Sequence, residues 1–119
     1  MTRKRTNPDY LNGVPELLIL HLLAARSMYG YELVQAIRLA TNGGLEFGEG
    51  CVYPILHRLE ADGFLGSRRE TVGNRTRVVY RVTVRGAKRL EVSLADWRRT
   101  VSAIEIALHG GPDAQPALA

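Results

Sequence analysis

Residues 50–65 read GCVYPILHRLEADGFL. Val52, Leu56 and Leu59 recur at the i, i+4, i+7 spacing that gathers side chains on one side of a helix. Cys51, Tyr53, His57 and Arg58 form a polar stripe beside them. A core can hold the first face while the second enters a DNA major groove. Gly63 after Asp62 suits a left-handed helix cap. Pro54 would cost about 3 kcal/mol in a helix interior, so its presence predicts a helix that opens no earlier than Gly50.

From Phe64 the period changes to two. Leu65, Ser67 and Arg69 alternate with Gly66 and Arg68, Gly73 and Asn74 supply a turn, and Val78, Tyr80, Val82 and Val84 alternate with Val79, Arg81 and Thr83. This pattern predicts a β-hairpin with one apolar face. Residues 64–89 carry Arg68, Arg69, Arg75, Arg77, Arg81, Arg85, Lys88 and Arg89 against Glu70 alone, a local charge of 8 − 1 = +7 in a chain of net +4. The rest of the chain therefore sums to −3. Charge gathered on one hairpin is what a phosphate-binding surface requires. A solvated charged face is the alternative on composition; the adjoining helix favours the first reading.

Upstream, a first helix is expected from near Pro15 through Leu17, Leu18, Leu20, Leu22 and Leu23 to about Ala25, apolar nearly all round and hence buried. After a break at Arg26 and Ser27, a second helix runs from Tyr29 or Gly30 to Ala40, with Leu33, Ile37 and Ala40 on one face. Asn42, Gly43 and Gly44 stop it. Helix, helix, helix, hairpin is the order of a winged helix-turn-helix.

Beyond Gly86 the apolar residues Ala87, Leu90, Leu94, Trp97, Val101, Ile104 and Leu108 follow steps of 3, 4, 3, 4, 3 and 4. A helix of about 22 residues with so narrow a stripe is too long to bury it against its own small domain, and pairing with a second copy is expected. Packing on its own first helix is the alternative for the N-terminal half. The fold class is thus mainly α with a small β-hairpin: a winged helix-turn-helix over residues 11–86 and one dimerisation helix over 87–109. The polar ends, 1–10 and 110–119, are expected to be disordered. A two-fold dimer would set two DNA-reading helices about one turn of duplex apart, over a roughly palindromic operator.

Other classes find little support. One cysteine, Cys51, allows neither an intramolecular disulfide nor a multi-cysteine metal cluster. The longest apolar run, residues 17–25, is interrupted by His21 and too short to span a bilayer, and the basic start (Arg3, Lys4, Arg5) leads into polar residues; no membrane partner and a cytoplasmic location are expected. His21, His57 and His109 have no partners at metal or acid–base spacing, so no metal, cofactor or catalysis is expected. A winged helix serving only protein–protein interaction remains the competing function.

Three motifs in order complete the reading: Tyr29, Gly30, Tyr31 and Glu32; then Gly50, Tyr53, Pro54, Leu56, Arg58, Leu59, Glu60 and Gly63; then Tyr80, Thr83 and Gly86. With them the chain resembles the PadR family of bacterial transcriptional regulators over about residues 17–108, in the short subgroup with a single C-terminal helix that includes multidrug-sensing members. The resemblance implies a dimeric repressor that leaves its operator when a small effector binds. It implies that Tyr53 meets the backbone or base edges and that Arg75 and Arg77 lie on phosphates or in the minor groove.

The chemistry of the residues agrees. Backbone N–H groups near Gly50 and Cys51 favour a phosphate, Pro54 suits a thymine methyl, and His57 and Arg58 reach phosphates or bases. Tyr29 joins this DNA-binding set. Alternatives stay open: Tyr53 as a half-buried hydroxyl beneath the wing, Arg58 paired with Glu60, Asp62 or a partner chain, and Cys51 as small-residue packing. The chain departs from the family where Cys51 replaces a common threonine, and where Val84 and Arg85 replace acids after Thr83. Arg85, unfavourable at a helix N-terminus, is expected to serve a phosphate instead.

Trp97 is the only tryptophan and sits centrally in the seam with Leu90, Leu94, Val101, Ile104 and Leu108. Two such rings facing each other would sandwich a flat effector, and Trp97 looks like the tryptophan that stacks on drugs in the multidrug-sensing relatives. Ordinary dimer-core packing is the alternative.

Overall fold

In a computed structural model, residues 13–110 are described; the two ends expected to be disordered lie outside them, apart from Gly110. The elements run α1 (Gly13–Ala25), β1 (Met28–Tyr29), α2 (Gly30–Ala40), α3 (Glu49–Ala61), β2 (Leu65–Val72), β3 (Arg75–Val82) and α4 (Val84–His109). The winged helix fold with a long last helix is thus the one anticipated, with differences that have physical causes.

Helix α1 is central, touching α2, α3, α4 and β3. It starts at Gly13, so Pro15 is its third residue, where the missing N–H is still one that no helical carbonyl would accept. It is not buried all round. Ile19, Leu20 and Leu23 are, but Leu17, Leu18 and Leu22 are half-buried and His21 is exposed, because a domain this small leaves one edge of its middle helix in water.

Helix α2 ends in a Schellman motif: Asn42 is left-handed (φ +55°), its N–H bonds the Leu39 carbonyl, and Gly43 N–H bonds that of Arg38. Helix α3 ends the same way, with Gly63 at φ +84° and the bonds Gly63 to Glu60 and Phe64 to Leu59. Val52, Leu56 and Leu59 are fully buried, as their spacing predicts. Its start is corrected by one residue, to Glu49 with Gly48 as cap, so Pro54 stands in the second turn. The helix tolerates it because the carbonyl deprived of a donor belongs to exposed Gly50 and can be hydrated.

The sheet is three-stranded and antiparallel, in the order β1-β3-β2. Strand β1 was not foreseen, since two residues carry no periodicity; it pairs Met28 with Tyr80 and Tyr29 with Val79. The hairpin turns through Gly73 (φ +64°) and Asn74, with Val72 opposite Arg75. The single apolar face needs correction. Tyr80 is buried and Val82 half-buried, but Val78 is 36% exposed and Val84 lies exposed in α4. Val79 is buried on the opposite face, level with Tyr29 and Arg68.

Helix α4 begins at Val84, three residues earlier than expected. Thr83 Oγ1 accepts the Gly86 N–H (3.0 Å) and donates to the Gly63 carbonyl (2.7 Å), while Thr83 N–H bonds that of Phe64 (3.1 Å). The cap of α4 is therefore fastened to the end of α3.

Candidate nucleic-acid interface

The outward side of α3 presents Gly50, Pro54 and His57, all exposed, with Tyr53 half-buried where the helix meets the wing. The Tyr53 ring lies over Gly30, the first residue of α2, so closely that a Cβ at position 30 would overlap it. Burial, and secondarily the Glu49 carboxylate, push the Tyr53 phenol above its ordinary pKa. Like any tyrosine of ordinary or higher pKa, it is a neutral hydrogen-bond donor at physiological pH. Tyr80 below it is shifted the same way by burial, then by Glu60 and Tyr53.

Tyr53 and His57, ring centroids 6.3 Å apart, form one wall of a cleft whose other wall is Tyr29, Thr76 and Arg77. The Arg77 guanidinium stands 4.4 Å from the Tyr29 ring centroid, a cation–π contact that holds a wing cation beside the start of α2. Exposed Arg75 and Tyr31 border the adjoining hollow with Tyr29 and Arg77. Four of the expected residues, Tyr29, Tyr53, His57 and Arg77, thus share one cleft, Arg75 lines the hollow beside it, and Gly50 and Pro54 are exposed on α3. Tyr31, 54% exposed, and Thr76 were missed. Tyr31 lies in the motif Tyr-Gly-Tyr-Glu, but on a helix its alternation with Tyr29 gave no sign that both flank the wing.

Two members of the set sit elsewhere. Cys51 is half-buried against the core, and its backbone N–H bonds the Gly48 carbonyl (3.0 Å). Arg58 pairs with neither Glu60 nor Asp62. Its Nη2 lies 3.2 Å from Glu16 Oε1 on α1, and Glu16 Oε2 also takes Arg89 Nε at 3.0 Å.

The basic block is also divided. Arg68, Arg75, Arg77 and Arg81 share the outer face of the wing by register, with Glu70 among them, whereas Arg69 faces the other way with Val78. Arg85, expected to serve a phosphate, instead stacks on Phe64 (5.0 Å), its stem against Gly63. There it meets the negative end of the α3 dipole, which offsets its poor place at the start of α4. Arg89 stacks on the same ring at 5.0 Å.

Along α4, Leu90 packs on the core of its own domain and Leu94 and Val101 are half-buried, but Ile104 is 51% and Leu108 74% exposed. Trp97, 44% exposed, borders an open cavity between α4 and the start of α1, with Val14, Glu16, Leu17, Arg89 and Asp96. Among the described residues no helix is long and apolar enough to cross a membrane.

Residues 19–92 match the model of the transcriptional regulator PadR-like family. The chain belongs to that family. It is 34% identical over 103 residues to the transcriptional regulator Rv3488 of Mycobacterium tuberculosis, a match covering 87% of this chain and 90% of that one. The fold is similar to a transcriptional regulator from Clostridium thermocellum (TM-score 0.78, 30% identity, 82% of this chain and 96% of that one). It is also similar to a PadR family regulator from Clostridium difficile (TM-score 0.68, 26% identity, 81% and 99%). This PadR-like protein is therefore a transcriptional regulator acting on DNA, and its family is not one of enzymes. The family match ends at Val92, so the seam from Leu94 onward lies past it.

Proposed function

We propose that this PadR-like regulator works in the cytoplasm as a homodimer, joined through Leu90, Leu94, Trp97, Val101, Ile104 and Leu108, and represses transcription from a roughly palindromic operator until a small aromatic effector releases it. The reading is carried by one arrangement: a helix anchored by three fully buried residues presents Tyr53 and His57 in one cleft with Arg77 of the wing, and Arg75 lines the adjoining hollow. The exposure of Trp97, Ile104 and Leu108 on the α4 seam supports the dimer, since a second helix covering such a stripe would remove it from water. Tyr29, Gly50, Tyr53, Pro54, His57, Arg75 and Arg77 are the proposed DNA contacts, with Cys51 and Arg58 at their margin.

Selection of bound duplexes from a random pool, with sedimentation of the free protein, tests operator and dimer together. Palindromic half-sites and a dimer at micromolar protein are expected; a monomer with no duplex preference overturns the reading. Affinity for the selected duplex should fall steeply with salt, and Arg75→Ala should lower the log–log salt slope by about one, the loss of a single phosphate contact. An unchanged slope would remove Arg75 from the interface. For the effector, Trp97 emission should be quenched by planar cationic or phenolic compounds at micromolar levels, because its ring is accessible beside a cavity of about 350 Å³, in the size range of small-ligand sites. No response across a varied panel would leave Trp97 as packing alone.

A further inference from the structure

The described ion pairs other than those of Glu16 join residues within six positions of each other: Arg26 with Glu32, Arg68 with Glu70, Arg99 with Asp96, His109 with Glu105. Glu16 alone among them binds two cations, and both are distant in sequence: Arg58 on α3, 42 positions away, and Arg89 on α4, 73 positions away. Its side chain is only 12% exposed, while those of the two arginines are 50% and 42% exposed. The carboxylate is thus largely withdrawn from water and depends on its two guanidinium partners, whereas each arginine can turn to solvent or to another anion. Glu16 also borders the cavity beside Trp97.

A carboxylate is a planar group whose two oxygens turn together. Were one oxygen to lose its cation, the group would be free to turn toward the other, and the field it projects into the cavity would change. We propose that Glu16 is a positioning residue that couples the Trp97 cavity to the DNA-reading helix, one oxygen holding Arg58 and the other Arg89. DNA phosphate competing for Arg58 unbalances Glu16 and alters the field at Trp97. By the reciprocity of linked equilibria, a molecule that displaces Arg89 in the cavity alters the hold on Arg58 and hence the affinity for DNA. The inference rests on the DNA-binding surface proposed above and gives it a route of regulation that does not require the two sites to touch.

The test uses the full chain and a duplex recovered by selection, with two readouts on one sample. Anisotropy of the labelled duplex reports binding; emission of Trp97, the sole tryptophan, reports the cavity. Saturating duplex is expected to shift the wild-type emission. In Glu16→Gln the shift should vanish while affinity stays within about fivefold of wild type, the most that a partly exposed ion pair contributes. Circular dichroism checks the fold of that variant; should it fail, Arg89→Gln removes the α4 arm, together with the stack on Phe64, and should also abolish the shift. Binding without any emission change in wild type overturns the coupling, as does a shift that persists in the variants. Absence of anisotropy change with every duplex overturns the DNA surface itself, and the coupling with it.

Discussion

Gly86→Ala should destabilise the fold by about 3 kcal/mol, lowering the melting temperature by roughly 15 °C at fixed protein concentration. Gly86 is buried, and a methyl group there would overlap the Phe64 carbonyl oxygen, with Val82 Cγ1 at 3.1 Å on another side. The obstruction is backbone, which has no alternative rotamer. Phe64 cannot retreat without breaking the bond its carbonyl accepts from Thr83, and Gly86 cannot retreat without leaving the Thr83 hydroxyl that caps α4. Thermal melts followed by circular dichroism measure the loss. A melting point within a few degrees of wild type would show that α4 can dock elsewhere on the domain.

Gly30→Ala should do the opposite: leave stability nearly unchanged and cut DNA affinity about 10- to 100-fold, the range of one or two lost specific contacts. The methyl group would meet the outer end of the half-buried Tyr53 ring, a side chain that can turn toward the open cleft, unlike a backbone carbonyl. Alanine also suits the first turn of a helix better than glycine, which offsets part of the disturbance. Tyr53 would leave the wall it forms with His57, and its hydroxyl would no longer be held in place beside the wing. Anisotropy titration of the selected duplex, compared with Tyr53→Phe, separates loss of the ring's position from loss of the hydroxyl. Wild-type affinity in Gly30→Ala would show that the seat of Tyr53 does not matter to binding.

These two glycines also mark how far the sequence is legible. The stripe of α3, the caps at Asn42 and Gly63, and the turn at Gly73 are local patterns, and each appears where its residues place it. Both glycines belong to motifs that suggested a family, but nothing in the chain says that one is pressed by a carbonyl and the other by a ring. Strand β1 and the burial of Val79 depend on a pairing across 50 residues, which alternation within the hairpin cannot reveal. The same blindness affected charge. Eight cations in one stretch read as one surface, yet Arg85 and Arg89 stack on Phe64, and Arg58, outside that stretch, turns to Glu16 on α1. Counting charge located the wing; only geometry shows which arginines it can offer to DNA.

The wing leaves α3 at Gly63–Phe64 and returns to the same point at Thr83, where three hydrogen bonds no longer than 3.1 Å gather the carbonyls of both residues and the start of α4. A ribbon clamped at both feet can be lengthened or shortened at its Gly73–Asn74 tip without disturbing what stands behind the clamp. Insertions there would change how far the wing reaches, while the angle between α3 and the last helix stays as it was built.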